Sequence, residues 1–370
     1  MHTLEAILTL YFSQYEYLRD NLPALKAVSK NVMRTNYYSA KGITQIEIRK
    51  NSFTYKGMQM SKYYLVLRIN PSVVMGDSYL FLLDMDKYST DEIILKLKKR
   101  LYEINEFRYI RIDKDPISLF RTNRADIASD ILVQRPDVAV WICNMSFPYN
   151  YYRMKRKRIN KPKEILYFES CCFGSDSRAF NLYCKWAAIT NNNVVVSAED
   201  EARARNTLRL EVQIKKNGIY NMARRLQTKR AITKFLEKDF CQGYLEKEIL
   251  AVFGTEKYVS RSKAEEVINA STYKPYDKTI MVSIINMIQS YGGLCEMEKA
   301  IASESICSPS QYGNLRTFRE KWLMRIKRLG INPVAIPDSF QLDEHPSIYE
   351  LMMQEEYNNY DNTRNGEIIL

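Results

Sequence analysis

The sequence predicts an α+β protein: a mostly antiparallel sheet packed with helices, followed by a small all-α domain of helix-turn-helix form. Three observations carry this expectation. Runs with period-two alternation and β-branched residues recur through the first two hundred residues, and they are interleaved with segments whose apolar residues fall at three and four. Beyond Gly254 the helical pattern continues alone. The length of 370 residues suits about two domains. The expected organisation is an N-terminal helical segment at 1–40, a sheet domain at 41–254, the helical domain at 255–340 and an acidic tail at 341–370.

The elements are justified in chain order. Residues 3–20 are expected to form one aromatic-rich helix, closed by Asn21 and Pro23. Ile43 to Thr54 and Lys62 to Asn70 alternate as strands, with Pro71 as a stop. Ser89-Thr-Asp-Glu is a helix start, followed by Ile93, Leu95, Leu97, Leu101 and Ile104 at mostly helical spacing. Arg121 to Val133 is a strand candidate, Asp137 to Met145 a short helix, and Glu164 to Ser170 follows a basic run. Arg178 to Trp186 and Asn206 to Lys216 are further strands, separated by a helical segment around Ala198 to Ala204. Asn217-Gly218 is expected to turn, and Ile219 to Leu250 to form long helices. In the last part, helices are expected at Asp277 to Tyr291, at Leu294 to Ser303, and from Ser308-Pro309 onward. The third carries Leu315, Phe318, Trp322, Ile326 and Leu329 on one face.

Charge points to a polyanionic partner. The formal net charge is +12, and it conceals a division: from Asp338 to Leu370 the chain is −7 and the remainder is +19. The tail ends in YNNYDNTRNG and then a short apolar end; the first of these has no apolar period and the composition of a disordered segment. Tyr149 to Lys163 gathers Arg153, Lys155, Arg156, Lys157, Arg158, Lys161 and Lys163 with no acid, beside tyrosines 149, 151 and 152. Cations interleaved with aromatic rings suit a phosphate backbone with stacked bases; a basic solvated loop is the plain alternative. Leu315 to Arg328 holds six cations and one acid. If that helix reads DNA, Ser310, Gln311, Asn314 and Arg316 are nearest the base edges, with Arg319 and Lys327 on phosphates.

Other classes are disfavoured. Seven cysteines are scattered without a CxxC pair, as expected for reduced thiols in a cytoplasmic protein. No apolar run long enough to span a membrane is present. Only His2 and His345 are available, both near the chain ends, which leaves no material for a Ser-His-Asp triad, an HExxH helix or a His-hydrophobe-His motif. Phosphodiester chemistry is therefore expected to run on carboxylates, lysine and tyrosine.

Alternation places Asp126, Ala128 and Asp130 on one face of their strand, and Glu211, Gln213 and Lys215 on one face of another. Asn181, Tyr183 and Lys185 share a face of a third. As neighbours, these strands would bring together carboxylates suited to Mg²⁺ or Mn²⁺ with lysines that stabilise phosphoryl charge. Tyr220, nine residues beyond Glu211, is the candidate nucleophile, with Tyr183 second. A strand carboxylate paired with lysine is the plain alternative.

NRADIASDI, ILYFES, FNLYCK and TLRLEVQIKKNGIY, in that order, resemble the motifs of rolling-circle replication initiators of the filamentous-phage and small-plasmid kinds. The C-terminal YGG, the basic helix and LGINPVAIP resemble the helix-turn-helix that closes phage-type members. The resemblance covers roughly residues 43–340, and its motifs are short. It implies a nuclease or RRM-like core and a nickase in which tyrosine attacks an origin phosphodiester and remains on the 5′ end. By position it implies Asp126 and Glu211 as ligands for Mg²⁺ or Mn²⁺ and Tyr220, with Tyr183 second, as the nucleophile; the strand faces add Asp130 as a further candidate ligand and Lys185 and Lys215 as candidate catalytic groups. The partners implied are DNA, as a single-stranded or cruciform origin, and a host helicase and polymerase. The departure is the missing histidine pair. A regulator or replication accessory protein that binds DNA without cutting is the alternative.

Overall fold

The computed structural model describes residues 2–110, 116–156, 170–191, 195–303 and 312–353. Its strands are β1 (Thr3–Leu10), β2 (Lys26–Ser29), β3 (Val32–Thr35), β4 (Ile43–Tyr55), β5 (Met58–Ile69), β6 (Arg121–Leu132), β7 (Lys155–Arg156), β8 (Ser170–Gly174), β9 (Arg178–Cys184) and β10 (Thr207–Ile214). Hydrogen bonding orders them β2-β3-β4-β5-β1-β6-β10-β9-β8-β7. With the helices between them, this is the expected α+β class. A separate pair is formed by β11 (Tyr258–Val259) and β12 (Glu344–His345).

The chain forms two compact units that are discontinuous in sequence. The first comprises Met1–Ser129, Asp176–Ala179 and Glu211–Leu245, and the second Asp130–Ser175, Phe180–Leu210 and Glu246–Leu370. In the first unit, β4 and β5 pair antiparallel in a long hairpin, and β1 lies antiparallel to both β5 and β6. Leu4, Ala6, Ile46, Ile48, Leu65 and Leu67 supply buried side chains to it. Helix Thr90–Tyr102 starts with the expected capping box between Ser89 and Glu92, and it buries Ile93, Leu97 and Leu101.

Two expectations fail here for identifiable reasons. Residues 3–20 are not one helix: Thr3–Leu10 is a strand, and only Phe12–Asn21 is helical. Leucine, alanine and glutamate favour helix locally, but β1 gains a hydrogen-bonded neighbour on each side and buries Leu4 and Ala6 completely. Nor is Asn217-Gly218 a turn, since it lies within helix Lys216–Arg225. A Cβ on Gly218 would stand 2.4 Å from the Ser177 carbonyl oxygen. The glycine permits close approach here and breaks nothing.

In the second unit, helices Pro136–Ser146, Ala198–Arg205, Pro275–Ser290 and Leu294–Ala302 lie where periodicity placed them. The segment that follows is helical at Leu315–Thr317, π-helical at Phe318–Leu323 and helical again at Met324–Lys327. Phe318, Trp322 and Ile326 are buried as their spacing requires, and the wider π turn also buries Leu323. Asp338 bonds Ser262 and Glu344 pairs with Lys257, so the first part of the acidic stretch is tied to structure. Glu164 to Glu169, Ser308-Pro309 and residues 354–370 lie outside the described residues. No described helix is long and apolar enough to cross a membrane.

Candidate metal centre

The first unit gathers its polar side chains where β1, β6 and β10 run together. The odd-even pattern of β10 buries Leu208, Leu210, Val212 and Ile214, which leaves Glu211 among the alternate residues. In β6 the apolar set is Ala125, Ile127 and Ile131, so Asp126 projects from the opposite face. The expected alternation is present, and both carboxylates are buried, at 1% exposure for Asp126 and 5% for Glu211.

The third participant is a residue that sequence reasoning excluded. Thr3 of β1 stands opposite Asp126 of β6, and the ladder extends one residue further, where the His2 backbone N–H donates to the Asp126 carbonyl at 3.0 Å. His2 Nδ1 then lies 2.8 Å from Glu211 Oε2. One donor atom from each of His2, Asp126 and Glu211 lies within 4.8 Å of the others. Proximity to a chain end in sequence does not place a histidine far from the site. The expectation that no histidine reaches these carboxylates is therefore corrected.

Arginine and a strand irregularity complete the surroundings. The Arg124 guanidinium forks onto Asp126, Nε to Oδ1 at 2.8 Å and Nη2 to Oδ2 at 2.6 Å. Glu5 faces Arg124, whereas Ala6 faces Thr122, so Asn123 is an extra residue in β6. Its side-chain amide donates to the buried Glu5 carboxylate, which also lies 3.7 Å from Arg68. Burial pushes the Asp126 carboxyl up to about 6, against the Arg124 hydrogen bond that favours ionisation, and the nearby Glu211 charge pushes the same way as burial. Arg124 resists burial through its bond to Asp126 and stays above the usual arginine value. The available signal for Arg124 was the Arg-x-Asp spacing; for His2, Glu5 and Asn123 the sequence held none.

The other expected residues are placed as follows. Asp130, in the second unit, receives both Nε and Nη2 of the fully buried Arg209 at 2.6 Å. It therefore compensates a buried cation and is not among the clustered donors. Tyr183 hydrogen-bonds Arg209, which supports the guanidinium charge. Lys185 does not end a strand; it is the buried first residue of helix Lys185–Asn191. Lys215 occupies the N-cap of helix Lys216–Arg225, its N–H donating to the Ser177 carbonyl at 2.9 Å. Tyr220 is exposed in that helix and lines a cleft whose walls include neither His2, Asp126 nor Glu211.

Among the expected DNA contacts, Arg153 and Lys155 are exposed, and Arg156 lies in β7. Lys157, Arg158 and Gln311 lie outside the described residues. Asn314 caps the helical segment after it, its Oδ1 accepting from the Thr317 N–H at 2.9 Å. Arg316 pairs with Glu320 at 2.9 Å on the surface. Arg319 is engaged by protein: it forks onto the buried Glu298 at 2.6 and 2.7 Å and donates to the Tyr149 carbonyl. The chain matches no protein-family model and no curated protein sequence.

Proposed function

We propose that this protein is a divalent-metal-dependent DNA nicking and joining enzyme acting at a replication origin. The observation that carries the reading is the convergence of half-buried His2 with the buried carboxylates of Asp126 and Glu211 in the first unit. Chains of this charge partner polyanions, and one imidazole with two carboxylates is a donor set for a divalent ion. The imidazole shifts the expected ion from Mg²⁺, which takes oxygen ligands, towards Mn²⁺. A divalent ion held there supplies Lewis-acid polarisation of a phosphodiester oxygen.

The protein's own groups have separate tasks. Arg124 orients Asp126 through its two hydrogen bonds and balances the carboxylates around it. Tyr220 is the nucleophile of this reading: its phenol oxygen bonds phosphorus as the bond to the 3′ oxygen breaks. The phenol proton is lost and the departing oxygen gains one, so the step balances. The segment Leu315–Lys327 serves as the DNA-docking helix through exposed Arg316 and its neighbours. The host helicase and polymerase take over at the free 3′ hydroxyl.

The test is incubation with a labelled, randomised single-stranded DNA library and Mn²⁺, followed by a denaturing gel. A covalent adduct that is lost with EDTA is expected. Binding without any adduct would replace the proposal with that of a non-catalytic DNA-binding regulator.

A further inference from the structure

The cleft that contains Tyr220 has a composition of its own. It encloses about 930 Å³ in the first unit, and its walls carry Lys98, Arg121, Arg224, Lys229 and Arg230 with no acidic residue. These cations come from four places: helix Thr90–Tyr102, the first residue of β6, the last turn of helix Lys216–Arg225, and the loop after it. The loop is fixed at both ends. Thr228 N–H donates to the Ala223 carbonyl at 3.0 Å, and the Arg230 carbonyl accepts from Thr122 N–H at 2.8 Å.

Elsewhere guanidinium groups find carboxylates: Arg34 and Arg49 share Glu47, and Arg135 holds Asp137. Among the described residues, Arg121, Arg224, Lys229 and Arg230 form no ion pair. Converging like charges repel one another, and an anion between them recovers that cost. The Arg230 guanidinium lies 4.6 Å from the centre of the Tyr220 ring, which is 58% exposed. A flat ring open to the cleft and backed by a cation is a platform for a nucleobase.

We infer that this cleft grips the backbone of single-stranded nucleic acid, with phosphates on Arg121, Arg224, Lys229 and Arg230 and a base stacked on Tyr220. A strand fits better than a mononucleotide. No glycine lines the cleft, so it lacks the backbone cradle that holds the phosphates of free nucleotides. Arg224 extends from the C-terminal turn of its helix, where carbonyls and not N–H groups are available. Contact is therefore made by separated long side chains. Arg121 and Asp126 are five residues apart on β6, roughly 16 Å at the usual strand rise, so a phosphate held by Arg121 is not the one beside the metal donors. The inference shares its class of partner with the proposed function but does not depend on a metal.

Anisotropy of a fluorescent oligothymidylate in EDTA tests it without any cleavage. Across a salt series, the variant R224A/K229A/R230A is expected to lower the slope of log affinity against log salt by about two. The exposed pair K26A/K30A serves as the charge control and is expected to leave it unchanged, as is the charge-preserving R224K/K229R/R230K. Tyr220→Ala is expected to weaken binding about tenfold while Tyr220→Phe does not, because stacking requires the ring and not the hydroxyl. An unaltered slope in a triple-alanine protein with native circular dichroism overturns the inference. So does equal competition by thymidine monophosphate at matched phosphate concentration, which would make the cleft a nucleotide site. Intact binding without an adduct would count against the cleavage reading alone.

Discussion

His2 Nδ1 lies 2.8 Å from Glu211 Oε2, although 209 residues separate them. The contact exists because β1 adds to β6 with Thr3 opposite Asp126, which sets the preceding residue beside the two carboxylates. A cluster of two acids thereby becomes one of two acids and an imidazole, a donor set that would suit Mn²⁺ better than Mg²⁺.

Asp130 and Asp126 share a strand face but not a role. Asp130→Asn leaves the buried Arg209 without its anion, a loss expected to cost about 3 kcal/mol. Urea denaturation should register this, while Mn²⁺ affinity stays at the wild-type value. Weaker Mn²⁺ binding with unchanged stability would return Asp130 to the metal site.

Arg319 is expected to matter for stability before DNA. Its guanidinium neutralises Glu298, which is 1% exposed and also accepts the Tyr149 N–H at 2.8 Å. Arg319→Ala should lower stability by about 3 kcal/mol in urea. The salt dependence of DNA binding should remain that of the wild type.

The two candidate tyrosines separate by chemistry. Tyr220→Phe is expected to abolish the covalent DNA adduct, and Tyr183→Phe, whose hydroxyl serves Arg209, to leave it. Peptide mass mapping of the adduct checks the same assignment. A nucleotide mass on the Tyr183 peptide would reverse it.

His345 gives stability a pH dependence. Burial holds its imidazole below the ordinary value of 6.5, against the opposing influence of the Pro346 carbonyl and Asp137. The unfolded chain therefore takes up this proton at higher pH than the folded one. Its contribution is complete above about pH 6.5 and is lost as pH falls towards the depressed folded value. Between about pH 7 and 5, His345→Asn should lose less of its urea midpoint than the wild type loses. Parallel losses would contradict the assignment.

The strands that carry the site were legible because alternation reports burial directly: Leu210, Val212 and Ile214 are inside, and Glu211 is on the other face. The position of His2 was not legible. It depends on β1 pairing in mid-sheet, and the sequence TLEAILTL has a local preference for helix that only those long-range hydrogen bonds overcome. Asp126 and Asp130 look equivalent from spacing. What separates them is which arginine each meets: Asp126 meets Arg124 of its own strand, as the Arg-x-Asp spacing signals, whereas Asp130 meets Arg209 of β10, which only strand register brings to it. The cation cleft was equally hidden, since Lys98, Arg121 and the pair Arg224 and Arg230 lie in three separate stretches of the sequence and meet only in the fold.

Electron paramagnetic resonance of Mn²⁺ titrated into the wild type and into His2→Ala, Asp126→Asn and Glu211→Gln tests the centre most directly. One bound ion per wild-type chain is predicted, with affinity at least about tenfold weaker in each variant. Equal Mn²⁺ binding by all four proteins, or none by the wild type, would contradict the assignment of these residues to a metal.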